Sequence, residues 1–223
     1  MRTAASAALA ASKLNPKAAE CHIVGCGLIG FETLRFLKMV LPNLKNVKLY
    51  DIDSERVTQF KLKADAVFPA LSINLLTNLN EAFETDGVVV LSTTAASPYI
   101  DSVSGATHAT TILNLSLRDL AGEVLISCDN IVDCPEHVCK ARTSVELAKN
   151  IAGDTEFIRA SLGQILNGKA ALKSKDSPTV FSPFGLGVLD MGLGGLFLQL
   201  AAEQGKGLQL PNFFPQHWLE RAY

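Results

Sequence analysis

The feature that most constrains this chain is a glycine-rich turn at residues 25–30, which read GCGLIG. Gly25, Gly27 and Gly30 occupy the three glycine positions of the pattern G-x-G-x-x-G. In that pattern the first glycine permits a tight bend, the second lets the backbone approach a pyrophosphate, and the third lets the next helix pack closely on the preceding strand. Leu28 and Ile29 lie at the start of that helix, where free backbone N–H groups favour an anion. The turn therefore predicts a phosphate-binding site between a strand and a helix.

An acidic residue at the expected distance favours a dinucleotide over some other phosphate. Residues 47–50 predict a second apolar strand that ends at Asp51, and Asp51 lies 21 positions after Gly30. This is close to the ~20 positions at which a carboxylate binds the adenosine ribose. We expect Asp51 to favour NAD over NADP, because a carboxylate repels the 2′-phosphate. Ser54 is predicted to cap the next helix, and Asp53 is the alternative acid, which could start that helix instead.

The composition excludes several classes of function. The chain has 223 residues, of which 48% are hydrophobic and 19% charged, as in ordinary globular proteins. A net charge of −2 without clusters of Lys or Arg gives no indication of nucleic-acid binding. Five cysteines, an odd number, favour a reducing cytoplasm over a disulfide framework.

Two further patterns argue against a metal site and a membrane span. Cys134, His137 and Cys139 have a spacing that fits no standard zinc site. The apolar run at 184–200 contains Asp190 and five glycines. It is too broken for a membrane-spanning helix and is predicted to form a buried loop and helix.

Predicted strands and helices alternate along the chain, which favours an α/β fold with a doubly wound parallel sheet of the Rossmann type. After the first strand, strands are predicted at 47–51, 69–75, 87–91, 110–115, 129–133 and 179–182. Helices are predicted at 2–14, 28–41, from 54, at 80–83, 135–150, 158–166 and 188–202.

Ligands of such a sheet lie beyond the carboxyl ends of its strands. Ser92, Thr93 and Thr94 follow the fully apolar strand at 87–91, and we expect them to line the central part of the cofactor. An ordinary helix cap before Pro98 is the alternative for these three residues. The polar residues after the strands are therefore predicted to converge on one edge of the sheet.

Several runs also carry a family resemblance. They include residues 25–32 (GCGLIGFE), 113–120 (LNLSLRDL), 129–133 (DNIVD) and 180–190 (VFSPFGLGVLD). With these runs the chain resembles the ornithine cyclodeaminase/μ-crystallin superfamily of NAD(P)-dependent enzymes. The SLRDL and FSPFGLG runs are similar to the branch of N-(2-amino-2-carboxyethyl)-L-glutamate dehydrogenases, which make 2,3-diaminopropionate for siderophores and other natural products.

The resemblance implies a particular domain organisation. Members of the family carry a long substrate-domain segment before an Arg-Thr-Ala motif, which here is Arg2-Thr3-Ala4. That segment normally supplies most of the substrate-domain sheet, the dimer contacts and a lysine. We therefore expect a helical lead-in at 1–18, a dinucleotide-binding domain at 19–175 and a C-terminal return to a remnant substrate domain at 176–223. A homodimer is expected only if the missing segment is supplied.

The resemblance also implies a reaction and the residues that serve it. The reaction is oxidation of a secondary amine by NAD, followed by hydrolysis of the imine to 2-oxoglutarate and 2,3-diaminopropionate. The implied nicotinamide-side residues are Asn114 and Ser116. Residues implied to bind the substrate are Arg2, as a carboxylate clamp, with Arg118, Phe184 and Gly185. A frayed terminal arginine is the alternative for Arg2, and a tight hydrophobic turn is the alternative for the loop that contains Phe184 and Gly185.

The acid or base of the reaction is not assigned by these patterns. Asp119 and Asp190 are the two candidate carboxylates, although Asp119 is expected to cap the following helix and Asp190 could have a purely structural role. Three functional hypotheses stay open: the dehydrogenase of the diaminopropionate branch, an ornithine cyclodeaminase or imine reductase of the same superfamily, and a catalytically silent NAD-binding protein.

Overall fold

Strands and helices alternate through the computed structural model, which describes residues 1–173, 176–208 and 210. The strands are β1 (Glu20–Val24), β2 (Asn46–Tyr50), β3 (Ser72–Leu75), β4 (Val88–Leu91), β5 (Thr111–Asn114), β6 (Asp129–Val132), β7 (Ile158–Ser161) and β8 (Thr179–Ser182). The helices are α1 (Arg2–Leu14), α2 (Leu28–Val40), α3 (Ser54–Val67), α4 (Gly122–Ile126), α5 (Pro135–Val138), α6 (Ser144–Ala152), α7 (Leu162–Leu166) and α8 (Gly187–Glu203), with one 3-10 turn at Asn80–Phe83.

All eight strands form one parallel sheet in the order β3-β2-β1-β4-β5-β8-β6-β7. The predicted α/β fold with a doubly wound parallel sheet is confirmed. The chain adds β2 and β3 on one side of β1 and then crosses over to add β4 and β5 on the other side. The boundary between β1 and β4 is therefore the switch point at which such sheets bind ligands. The late strand β8 lies between β5 and β6, so residues far apart in the sequence share one edge of the sheet.

The sheet is covered on both faces, which explains its continuously apolar strands. Every residue of β4 and β5 is buried. One face packs against α1, α2 and α3, with Leu34 and Leu37 of α2 fully buried. The other face packs against the 3-10 turn, α4 and α6, with Phe83 and Leu125 in its core.

Helix α1 is rich in alanine and packs closely against α2. Ala4, Ala7 and Ala11 are fully buried, and small side chains allow two helices to approach closely. At the end of α1, the side-chain amide of Asn15 donates to the carbonyl oxygens of Asp86, Gly87 and Ala109. This anchor fixes the helix on the sheet.

The prediction of one helix at 158–166 is wrong, because its first four residues form β7. Arg159 in this strand donates to both carboxylate oxygens of the buried Asp129, at 2.5 and 3.1 Å. Ser161 then caps α7 through a capping box with Gln164. The predicted helix at 135–150 is also interrupted, because Ala141 and Arg142 adopt φ values of 61° and 55° between α5 and α6.

The described chain divides into a compact unit, Met1–Gly185, and a second unit that begins at Leu186. The second unit contains α8, which is apolar on all sides; none of its residues, all of them described, is buried. This differs from the expected burial of the run at 184–200. No described helix is long and apolar enough to span a membrane. The domain boundaries after residues 18 and 175 stay predictions. Of the two larger predicted domains, residues 174–175, 209 and 211–223 lie outside the described part.

Candidate functional site: the carboxyl edge of the sheet

The glycine turn joins β1 to α2 and is packed tightly against the end of β4. Gly25 has a φ of +96°, and a Cβ atom there would lie 2.7 Å from the backbone carbon of Ser92. At Gly30 a Cβ atom would lie 2.6 Å from the carbonyl oxygen of Gly25. Glycine is required at both positions, because any larger residue would push the turn away from the sheet. These are the tight bend and the close packing that the pattern assigns to its first and third glycines.

The second glycine faces open space instead. A Cβ atom at Gly27 would have no neighbouring atom within 4 Å. Gly27 is the N-cap of α2, and no described side chain caps this helix. The N–H groups of its first turn, which includes Leu28 and Ile29, therefore face an open cradle at the positive end of a helix dipole. Such a cradle fits a pyrophosphate.

Asp51 holds the same turn from the end of β2. Its Oδ2 atom accepts a hydrogen bond of 2.7 Å from the backbone N–H of Cys26, and its Oδ1 accepts one of 3.0 Å from the N–H of Asp53. A carboxylate oxygen has two lone pairs, so each oxygen can accept a further hydrogen bond from a ribose hydroxyl. Asp51 thus positions the turn and lines the cavity above it, and its contact with a ribose stays a prediction.

Asp53 has the structural role that was its alternative interpretation. Its Oδ1 accepts hydrogen bonds from the N–H groups of Glu55 and Arg56, which makes Asp53 the N-cap of α3. The prediction that Ser54 caps this helix is therefore wrong by one residue. Asp and Ser are both good N-caps, so the sequence pattern alone does not distinguish them.

A cavity of about 610 Å³ opens over the turn. Its size suits a large organic ligand. Its wall combines polar groups with apolar surface, including Ile52, which is 97% exposed. The cavity is lined by Val24, Gly25, Gly27, Tyr50, Asp51, Ile52, Asp53, Arg56, Leu79, Ser92, Thr93, Thr94, Ala95 and Tyr99.

Several wall residues, among them Ile52, Arg56, Leu79 and Tyr99, were not predicted from the sequence. Ile52 is an apolar residue directly after Asp51, in a position that no strand or helix buries. That position was the signal that could have identified it. Leu79 and Tyr99 reach the cavity from segments without a motif, so only the tertiary structure could reveal them.

Ser92 and Thr93 face the cavity, but their hydroxyl groups are already used within the protein. The Ser92 hydroxyl donates to the carbonyl oxygen of Gly25 at 2.8 Å. The Thr93 hydroxyl donates to Oδ1 of Asp119 at 2.6 Å and accepts from the N–H of Ala95. Backbone groups and Thr94 are therefore what this segment can offer a ligand.

Asp119 lies beneath Thr93 and is fully buried. The expectation that it caps the following helix is wrong, because Ala121 is the N-cap of α4. Burial raises the pKa of the Asp119 carboxyl, although hydroxyl groups of Thr93, Ser116 and Tyr99 oppose the shift. Burial, followed by the charge of Asp119, also raises the pKa of Tyr99. Asp119 does not line the cavity, so its catalytic role stays a prediction.

The candidates Asn114, Ser116 and Arg118 lie at the end of β5 and in the loop that follows it. Asn114 is fully buried at the end of β5 and donates to the hydroxyl of Ser182 at 3.1 Å. Arg118 donates to the carbonyl oxygen of Ala141 at 2.8 Å. Between them, Leu117 has a φ of 66°, a left-handed conformation that is unusual for a bulky residue. Neither Asn114, Ser116 nor Arg118 lines the cavity, so their ligand contacts stay predictions.

The late loop after β8 meets two other elements. Gly185 has a φ of +103°, and its N–H donates to Oδ2 of Asp133 at 2.6 Å. A Cβ atom at Gly185 would lie 3.5 Å from Nη2 of Arg2, the first residue of α1. Phe184 is 38% exposed. The structure therefore brings together Arg2 and Gly185, both predicted to bind the substrate, and adds Asp133, which sequence reasoning had not given a role.

Among the described residues, the cysteines and the other metal-ligating side chains do not form a second site. Burial raises the pKa of the Cys26 thiol to about 12 and that of Cys128 to about 11, so neither is a thiolate nucleophile at neutral pH. Within the described residues, no group of His, Cys, Asp and Glu side chains could hold a metal ion. Asp190 lies in the first turn of α8, in the second unit, and its catalytic role stays a prediction.

Comparison with known proteins places this site in a family. The model of the ornithine cyclodeaminase/mu-crystallin family matches residues 1–196. The chain belongs to this family. The predicted superfamily is thereby confirmed, and the match covers both the glycine turn and the late loop.

Two curated relatives of this chain act on carbon–nitrogen bonds according to their names. The chain is 28% identical over 214 residues to the N-((2S)-2-amino-2-carboxyethyl)-L-glutamate dehydrogenase of Staphylococcus aureus (strain NCTC 8325 / PS 47), which covers 94% of this chain and 63% of that protein. It is 25% identical over 182 residues to the Delta(1)-pyrroline-2-carboxylate reductase of Bacillus thuringiensis subsp. konkukian (strain 97-27), covering 74% and 52%. The chain thus spans just over half to just under two thirds of these relatives' lengths.

Among solved structures, the fold is shared with a Delta(1)-pyrroline-2-carboxylate reductase from Thermococcus litoralis in complex with NADH and L-proline. The TM-score is 0.81 at 22% identity, and the match covers 93% of this chain and 66% of that one. At this identity the likeness establishes the fold.

Proposed function

We propose that this chain carries the NAD-binding part of an oxidoreductase that acts on a carbon–nitrogen bond of an amino-acid-derived substrate in the cytoplasm. The observation that supports this most directly is the open cradle at Gly27, with Asp51 beside it at the edge of a cavity. The family match and the names of the two curated relatives support the class of reaction.

Within this class we infer the reaction of the diaminopropionate branch, since the S. aureus relative is similar over almost the whole chain. Bound NAD would supply the hydride acceptor. The α-carbon of a secondary amine loses a hydride and the nitrogen loses a proton, which leaves a carbon–nitrogen double bond. Water then adds to this imine and releases 2-oxoglutarate and 2,3-diaminopropionate.

The residues of this chain would bind and orient the reactants. The N-terminal turn of α2 would hold the pyrophosphate, and Asp51 would accept the ribose hydroxyls. Arg2 would bind a substrate carboxylate through two parallel hydrogen bonds, a geometry that guanidinium groups favour. Asp119, which burial holds towards its neutral form, would keep Thr93 in place at the cavity wall.

Reduction of a cyclic imine is the second candidate. It is favoured by the similarity to the B. thuringiensis Delta(1)-pyrroline-2-carboxylate reductase and by the fold shared with the T. litoralis enzyme. The two reactions run in opposite redox directions, because one produces NADH and the other consumes it.

The absorbance of NADH separates these proposals. The protein is incubated with NAD and N-(2-amino-2-carboxyethyl)-L-glutamate, and separately with NADH and Delta(1)-pyrroline-2-carboxylate. Production of NADH in the first mixture is the expected result, and Gly27→Val, which fills the open cradle, should abolish it. Consumption of NADH only in the second mixture would favour the imine reductase. Binding of NAD without turnover in either mixture would favour a catalytically silent NAD-binding protein.

A further inference from the structure

The loop that follows β8 is held in place by a side chain from a neighbouring strand end. Asp133 comes directly after β6, which pairs with β8 in the sheet. Its Oδ2 accepts a 2.6 Å hydrogen bond from the N–H of Gly185, and its Oδ1 accepts a 2.7 Å hydrogen bond from the N–H of Cys134. Both carboxylate oxygens of Asp133 therefore accept hydrogen bonds from backbone N–H groups. This arrangement fits a residue that fixes the backbone rather than a catalytic acid or base.

The backbone that Asp133 holds has a conformation that needs an anchor. Gly185 adopts a φ of +103°, in a region that most residues avoid but glycine reaches at little steric cost. Glycine has many alternative conformations, so an external contact must select one of them. The 2.6 Å hydrogen bond to a carboxylate is of the short, charge-assisted kind that can do so.

Arg2 lies on the other side of the same glycine. Its Nη2 atom is 3.5 Å from the point where a Cβ atom of Gly185 would be, so the guanidinium lies close to the loop at this glycine. Arg2 begins α1, which packs beside β5 and β8. A shift of Gly185 would therefore change the space that the Arg2 guanidinium occupies.

From this contact chain we infer that Asp133 is a positioning residue for the carboxylate-binding end of the site. It fixes Gly185, and Gly185 in turn sets the position from which Arg2 binds a substrate carboxylate. The inference rests on the proposed function, because it requires Arg2 to bind a carboxylate of the substrate or product. It assigns Asp133 no contact with NAD, since the cradle at Gly27 and Asp51 is built from other elements.

The test is the binding of 2-oxoglutarate to the NADH-loaded protein, measured by isothermal titration calorimetry. Asp133→Asn keeps the size of the side chain but supplies one acceptor oxygen where two are needed. We expect it to weaken 2-oxoglutarate binding about tenfold, while NADH affinity changes less than about twofold. Glu136→Gln is the matched control, because Glu136 is an exposed acid three positions further on, and it should change neither affinity.

A second measurement separates positioning from a general loss of structure. Amide hydrogen exchange at Gly185 should accelerate in Asp133→Asn, with the midpoint of thermal unfolding little changed. Faster exchange at Gly185 with unchanged affinity for 2-oxoglutarate would overturn the inference, as would an equal loss of affinity for NADH and 2-oxoglutarate. If the unaltered protein binds NADH but not 2-oxoglutarate, the inference fails, whereas absence of NADH binding contradicts the proposed function itself.

Discussion

The carboxyl ends of β1, β2 and β4 differ from those of β5, β6 and β8 in how their polar groups are used. At the first group, Gly27 and the first turn of α2 face an open cavity, and Asp51 retains free lone pairs beside it. At the second group, the side chains hold one another. Asn114 is bonded to Ser182, Arg118 to the Ala141 carbonyl, and Asp133 to the backbone of Gly185.

This difference indicates a division of labour along one edge of the sheet. The first end presents backbone N–H groups beside an open cavity, and their positions depend on the close packing of glycines. The second end is a network in which each member acts through its neighbour. Substitutions at the first end should therefore act steeply and locally, and those at the second should act by smaller, transmitted effects.

The largest effect is expected for Gly25→Ala. Its methyl group would lie within 2.8 Å of Ser92 and Thr93 backbone atoms, and the φ of +96° would be strained for alanine. We expect a loss of about 3 kcal/mol in the free energy of unfolding, which lowers the thermal midpoint by about 6–12 °C.

Gly27→Ala is the matched control, because a methyl group there has open space. It should cost under about 1 kcal/mol in stability but weaken NAD binding, since the methyl group would stand in the cradle. Equal effects of the two substitutions on thermal unfolding would contradict the distinction drawn between these glycines.

An intermediate effect is expected in the loop after β5, where two leucines differ in backbone conformation. Leu117 has a left-handed φ of 66°, so glycine relieves strain there and Leu117→Gly should change stability by less than about 1 kcal/mol. Leu115 packs against the core without such strain, and Leu115→Gly should cost about 2 kcal/mol or more. Chemical denaturation measures both, and a larger cost at Leu117 would show that its side chain outweighs the strain.

The smallest effect is expected from Asp119→Asn and depends on pH. Since burial raises the pKa of Asp119 in the folded state, ionisation of this group opposes folding. Its contribution to stability is complete below the unfolded pKa of about 3.9 and is lost as the pH rises towards the folded value. The side chain of the Asn variant does not ionise, so this variant does not lose that stability as the pH rises. Its amide oxygen can still accept the hydrogen bond from Thr93, so the variant should be slightly more stable than the unaltered protein near pH 7.

Thermal unfolding at about pH 4 and about pH 7 checks this prediction. The advantage of Asp119→Asn should be present at the higher pH and vanish at the lower one. If the difference in thermal midpoint between the two proteins is the same at both pH values, Asp119 ionises as easily in the folded protein as in the unfolded chain.

The same division explains what the sequence could predict. Gly25, Gly30 and Asp51 act within a few elements that follow one another, and each motif position reports its own local requirement. The bond from Asp133 to Gly185 spans 52 positions. It depends on the insertion of β8 between β5 and β6, which no local pattern encodes.

Errors in the secondary structure have a similar cause. The helical pattern at 158–166 is overridden in its first four residues, which pair with β6 and place Arg159 where it donates to the buried Asp129. The misassigned cap of α3 is a local error, since Asp53 and Ser54 are both suitable caps. The buried positions of Asn114 and Asp119 follow from the packing of α4 and the late strands, so a family motif could name these residues without placing them.

The most direct test of the central claim is the thermal midpoint of the protein with and without NAD. At a concentration of about 100 times its dissociation constant, NAD should stabilise the folded chain by about 2.7 kcal/mol, which raises the midpoint by about 5–11 °C. Asp51→Ala should remove most of this shift. Asp53→Ala deletes the cap of α3 but keeps the backbone N–H that donates to Asp51, so it should lower the midpoint and keep most of the shift. No shift with NAD, or a shift that Asp51→Ala leaves intact, would contradict the proposed cofactor site.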